Sequence, residues 1–181
     1  LITHIGSYGS EPGQLRWPMS IALDNDINVY VCDEFLNRIT IWKRDGDYLS
    51  HWGNYGSGDG ELDGPSGLAI RGNVMFVVDS RNNRIQKFSL DGKYIGQFGS
   101  FGDAPGQLNR PWGIGLDKEG NVFVADWRND RIQSFTADGE WLACFGEPAG
   151  TGDAAATLRL HGGLRLVPRP EGVFNRPAGV C

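Results

Sequence analysis

An aspartate followed five positions later by an arginine occurs three times, as Asp33/Arg38, Asp79/Arg84 and Asp126/Arg131. A carboxylate beside a guanidinium is a candidate for acid–base work. The same pair can instead cap turn amides and neutralise charge where the chain reverses. An active site needs its acid once, so triplication assigns these six residues to a turn framework, and no catalytic residue is read from the sequence. The three histidines, His4, His51 and His161, lie tens of residues apart. Zinc requires three or four ligands meeting at one point, so no metal site and no cofactor are expected. Cys32, Cys144 and Cys181 form neither a CxxC pair nor a disulfide framework. No GxSxG, HExxH, P-loop or dinucleotide-binding pattern is present.

The elements that carry these pairs repeat as well. Gly6, Gly53, Gly99 and Gly146 are spaced by 47, 46 and 47 residues, and Pro18, Pro65 and Pro111 keep step with them. So do Asp45-Gly46, Asp91-Gly92 and Asp138-Gly139. Each unit reads as four strands. The first follows the repeat proline ("SIALD", "GLAIR", "GIGLD"), and the second alternates branched and aromatic residues ("NVYVCD" and its equivalents). The third begins at the repeat arginine, and an Asp-Gly turn leads into the fourth ("YLSHWG", "YIGQFG", "WLACFG"). No unit has a sustained helical period. Four-stranded sheets repeating at this interval stack radially as propeller blades.

The pattern resembles the NHL repeat, most fully in "RPWGIGLDKEGNVFVADWRNDRIQSFTADGEWLACFG". The expected fold is therefore an all-β, NHL-type β-propeller of four-stranded antiparallel blades. It is read as incomplete, with about three full blades and partial strands at both ends. Residues 1–5 read as the end of a preceding blade, and 6–52, 53–98 and 99–145 as three repeats. Residues 174–181 read as the start of a further repeat. Between them, 146–173 breaks the period with material rich in Ala, Gly, Arg and Pro. It is either an extended loop over the binding face or a non-native insert. The resemblance implies a ring of six blades, so an open arc of three is expected to self-associate through uncovered apolar faces.

The chain has 181 residues, 40% of them hydrophobic, and a net charge of −5. That balance gives no general reason to expect nucleic acid, and no apolar run is long enough for a helical membrane span. Function should lie where the repeats differ. Loops between the second and third strands contribute Glu34, Phe35 and Leu36, then Ser80, Arg81 and Asn82, then Trp127, Arg128 and Asn129. Loops linking blades add Arg16, Trp17, Asp63, Asn109, Arg110 and Trp112 to the same face. Phe35, Arg81, Trp127 and Arg128 are read as binding residues. Trp17 and Trp112 share that face, although packing between blades is their first reading. Tyr8, Tyr55 and Phe101 are read as wedges between blades.

The expected function is a non-catalytic scaffold that recognises protein, peptide or a small ligand on the loop face, as part of a larger multidomain protein. The resemblance also implies an alternative, part of a propeller enzyme similar to the peptidyl-hydroxyglycine lyases or the metal-dependent lactonases. At the channel end of the first strand, however, the repeats carry Met19, Ser66, Trp112 and Ala178 rather than histidine. RNA binding ranks third, because Arg16, Arg81, Arg110 and Arg128 are offset by Glu34 and Asp63.

Overall fold

The computed structural model describes residues 4–146; the irregular segment, the restart of the pattern, His161 and Cys181 lie outside the described residues. Short β1 (Ser7–Tyr8) pairs in parallel with β2 (Gln14–Leu15). Three antiparallel sheets of four strands follow. Blade 1 is β3 (Pro18–Leu23), β4 (Val29–Asp33), β5 (Arg38–Trp42) and β6 (Tyr48–Trp52). Blade 2 is β7 (Pro65–Arg71), β8 (Val74–Asp79), β9 (Arg84–Ser89) and β10 (Tyr94–Phe98). Blade 3 is β11 (Pro111–Leu116), β12 (Val122–Asp126), β13 (Arg131–Phe135) and β14 (Trp141–Phe145). The arrangement is an arc of a β-propeller.

Each blade is a meander, and its turns have local causes. At the Asp-Gly turns, the amide of Gly46, Gly92 or Gly139 donates to the carbonyl three residues back at 2.9–3.0 Å. All three glycines have φ between +88° and +98°, a region costly for other residues. Two of them also meet the preceding blade. A Cβ on Gly92 would lie 2.5 Å from the Trp52 ring, and one on Gly139 equally close to Phe98.

The core lies between blades. Tyr30, Cys32, Ile39 and Ile41 pack against Leu68, Met75, Val77 and Phe88. Phe76, Val78 and Ile85 pack the other way, against Ile114, Val122, Val124 and Phe135. Strand β8 therefore buries both faces, Met75 and Val77 toward blade 1 and Phe76 and Val78 toward blade 3. That is why its sequence is an unbroken apolar run. Cys32 is fully buried in this core, and its thiol is pushed up to about 12 chiefly by desolvation. The first strands lie side by side, β7 between β3 and β11. The Leu68 amide donates to Ser20 Oγ at 3.2 Å, and Ser66 Oγ donates to the Trp112 carbonyl at 2.8 Å.

Two sequence expectations are corrected here. Tyr8, Tyr55 and Phe101 are not wedges between blades but are about 70% exposed. The bridge partners of Tyr55 and Phe101, Leu62 and Leu108, fill the core at those levels instead, and Tyr8's partner Leu15 is half-buried. Trp17 does not pack between blades either. Its carbonyl accepts the Glu34 amide at 2.9 Å, which holds it over its own blade's turn, and it is 55% exposed.

Candidate functional site

Between its second and third strands, each blade turns on a buried aspartate. In blade 2, Asp79 accepts the Asp63 amide (2.7 Å), Asn82 Nδ2 (2.9 Å), Arg84 Nε (2.7 Å) and Gln86 Nε2 (3.0 Å). Arg84 also donates to the carbonyls of Gly58 and Glu61 and to Gln97 Oε1. One guanidinium thus ties the glycine-rich connection to the blade it enters. Burial nonetheless holds the Asp79 carboxyl above the ordinary 3.8, outweighing these bonds and the Arg84 charge. Blade 3 repeats the arrangement: Asp126 accepts from the Asn109 amide, Asn129, Arg131 and Gln133.

Blade 1 keeps the pattern but not the ion pair. Asp33 caps four amides, those of Arg16, Trp17, Phe35 and Leu36. Arg38 donates to the carbonyls of Ser10, Glu11 and Gln14, while its Nε and the buried Thr40 Oγ1 have no partner. The cause lies in the sequence. Leu36 replaces Asn82 and Asn129, and Thr40 replaces Gln86 and Gln133, so two of the donors that draw the carboxylate toward the arginine are missing. The sequence reading placed Asn82 and Asn129 on the loop face without their role as donors to the aspartate. It missed Gln86 and Gln133, and also Asn37 and Asn83. Both of the latter have positive φ and accept the amide of the next blade's connection, from Gly64 and Arg110, at 2.8 Å. The signal was present, since Asn stands before the repeat Arg in both units.

The two loop types meet on one face. The amides of Glu34, Arg81 and Arg128 donate to the carbonyls of Trp17, Asp63 and Asn109 at 2.9–3.1 Å. Blades 2 and 3 form this bond at the same repeat positions, and blade 1 forms it one residue later in the connection and one earlier in the turn. The side chains of the three blades differ as well. In blade 1, Arg16 lies over Phe35 (4.4 Å) and Tyr8 (5.4 Å), and Trp17 meets Phe35 edge-on at 5.6 Å. At blade 2, Arg81 bridges to Glu34 of blade 1 at 2.7 Å and to Asp63 at 3.2 Å. Blade 3 places Trp112 against Trp127 at 5.8 Å, with Arg128 over Trp127 at 5.7 Å. Phe35 joins Trp17, and Trp112 joins Trp127 and Arg128; Arg81 is held apart from both clusters by its carboxylates.

No group of three His, Cys, Asp or Glu stands together among the described residues. Next to the repeat prolines of the first strands stand Met19, Ser66 and Trp112, and the Ser66 hydroxyl is buried and already bonded to the Trp112 carbonyl. His51 lies on β6, the fourth strand of its blade; its Nδ1 bonds Tyr48 Oη at 2.7 Å, and burial followed by the Arg38 charge pulls its pKa down.

A family model described as SMP-30/Gluconolactonase/LRE-like region matches residues 59–151. No curated protein matches the sequence. Among solved structures, a catalytically inactive virginiamycin B lyase from Staphylococcus aureus is similar at a TM-score of 0.56 and 18% identity, covering 75% of this chain and 43% of that one. A gluconolactonase from Xanthomonas campestris is similar at a TM-score of 0.58 and 20% identity, covering 77% and 49%. Hydrazine synthase from Kuenenia stuttgartiensis gives a TM-score of 0.55 at 15% identity, covering 78% and 37%. The chain thus spans less than half the length of these structures, and the likeness is one of fold.

Proposed function

The chain belongs to the SMP-30/Gluconolactonase/LRE-like family, and from that premise we propose that it supplies the ligand-recognition wall of a propeller enzyme acting on a small ring-shaped substrate such as a sugar lactone. We read its units as NHL-like variants of the propeller blade. The observation that carries the proposal is that repeats of the same strand order diverge on the loop face, where blades 1 and 3 present aromatics beside arginine and blade 2 an arginine between carboxylates. Aromatics beside arginine are what ligand recognition requires. The Asp/Arg pairs are bound up in the turns, so chemistry would be supplied elsewhere in the propeller and this chain would hold and orient the substrate.

A second reading is a non-catalytic scaffold with the same recognition face. The absence of acid–base side chains from the Met19, Ser66 and Trp112 positions favours it. Lactone hydrolysis by the protein, followed by proton release on gluconolactone, separates the two. Saturable turnover that falls on Trp112→Ala supports the enzyme. No acceleration by a protein that still binds ligand on this face leaves the scaffold.

A further inference from the structure

We propose that the loop face of blade 3 is an oxyanion site, in which Arg110 and Arg128 take the carboxylate or phosphate of a ligand whose body lies on Trp112. The inference rests on reading this face as ligand-binding, but not on catalysis. Blade 2 is the internal control. There Arg81 is held by Glu34 and Asp63, and its aliphatic stem crosses Gly64, where a Cβ would lie 3.1 Å from Arg81 Cγ. One repeat later Arg128 stands in place of Arg81, but Ser80 replaces Glu34 and Asn109 replaces Asp63. Both carboxylates are gone. In place of Gly64 stands a second cation, Arg110.

Arg110 sits there at a cost. It adopts φ +51°, a conformation that suits glycine, with its amide pinned to Asn83 Oδ1 at 2.8 Å. Its segment is bonded directly to that of Arg128, whose amide donates to the neighbouring Asn109 carbonyl at 3.1 Å. Among the described residues neither guanidinium forms an ion pair or donates a hydrogen bond, although each carries five N–H donors. Arg128 is stacked 5.7 Å from the Trp127 ring, which orients the cation and leaves its N–H edges available. Two arginines on directly bonded segments, neither neutralised by a described acid, beside the stacked indoles of Trp112 and Trp127 supply donors for a planar or tetrahedral oxyanion. Half-buried Trp112 supplies the apolar platform.

The test is calorimetric titration of the full chain at low salt with D-gluconate, inorganic phosphate and, as a neutral control, glucose. Variants Arg110→Gly and Asn109→Asp rebuild blade 2's residues in blade 3, the first relieving strain and the second supplying a competing carboxylate. Saturable binding of an anion, weakened about tenfold or more by either variant with the melting temperature kept, is expected. Whichever of gluconate and phosphate binds more tightly identifies the group. Equal affinity in the variants, equal binding of glucose, or no saturation by either anion would overturn the site. Lactone turnover without anion binding would sink this inference and leave the enzyme reading standing. Anion binding without turnover would do the reverse.

Discussion

Replacing Arg84 by methionine should cost far more stability than the same change at Arg38, although both occupy the same repeat position. Arg84 and Asp79 are both buried and bonded at 2.7 Å. Arg84→Met strips the carboxylate of its counter-charge and leaves it only the Asp63 amide and two side-chain amides. Breaking a buried pair from one side costs about 3–5 kcal/mol. Arg38 makes no bond to Asp33, whose four amide donors survive its loss. Arg38→Met forfeits three bonds to carbonyls on the Ser10–Gln14 segment, where exposed Ser10 and Glu11 can turn to water. That costs about 2 kcal/mol. A gap of roughly 2 kcal/mol is a factor of about thirty in the unfolding equilibrium, readable as a shift in urea midpoint at constant slope. Adding Asp79→Asn to Arg84→Met should recover part of the loss, because the orphaned charge is then removed. Equal losses at the two arginines, or no recovery in the double variant, would refute the account of the framework.

Ile27 has φ +63° in a turn where the other repeats carry Gly72 and Gly120. Ile27→Gly should therefore stabilise the fold by about 0.5–1 kcal/mol once glycine's extra unfolded-state freedom is deducted, seen as a higher urea midpoint at constant slope. The folded Asp79 carboxyl titrates above 3.8 because burial dominates its environment. Below its ordinary value the folded and unfolded chains are both protonated at this site, and the group's penalty appears as pH rises through the folded value. Asp79 thus adds stability as pH falls through the window just above 3.8, and Asp79→Asn should remove that contribution from the pH dependence of the urea midpoint. Asn83→Ala strands the Arg110 amide and should cost about 1–2 kcal/mol, with hydrogen exchange at Arg110 accelerated. Unchanged exchange there would mean that the clasp between blades is not what holds this connection.

Much of the fold was legible because it is written locally. Alternation, the repeat proline and the Asp-Gly turns each specify a strand or a reversal within a few residues. The buried glutamines were not. Gln86 and Gln133 stand in strands as polar residues, and period two alone cannot distinguish an exposed amide from one satisfied in the core by Asp79 or Asp126. The exposed ring of Tyr55 was misread for a related reason: regular spacing marks a repeated environment, not its polarity. The site was legible only as a list of residues. Arg81 meets Glu34 across 47 positions and a blade boundary, and nothing in either local stretch says that they touch. The repeat signature also reads as NHL-like, whereas the family model that matches is that of the SMP-30/Gluconolactonase/LRE-like region.

A repeat protein carries its own controls, because the same backbone presents several sequences to the same physics. Where the repeats agree, in the aspartate caps and arginine ties, the side chains are consumed in holding the connection to the blade, and a ligand would have to displace protein bonds to use them. Where they differ, the bonds differ too. Blade 1 closes its face with Arg16 between two aromatic rings, and blade 2 closes its own with an arginine between two carboxylates. Blade 3 stacks one arginine on Trp127, adds another in a left-handed conformation that a long side chain rarely adopts, and matches neither with an acid among the described residues. If that were drift, the cheapest residue at position 110 would be glycine, as at position 64. A strained cation placed beside another cation lowers stability unless a charge of opposite sign is regularly present. An oxyanion from solution is the partner that this geometry accommodates.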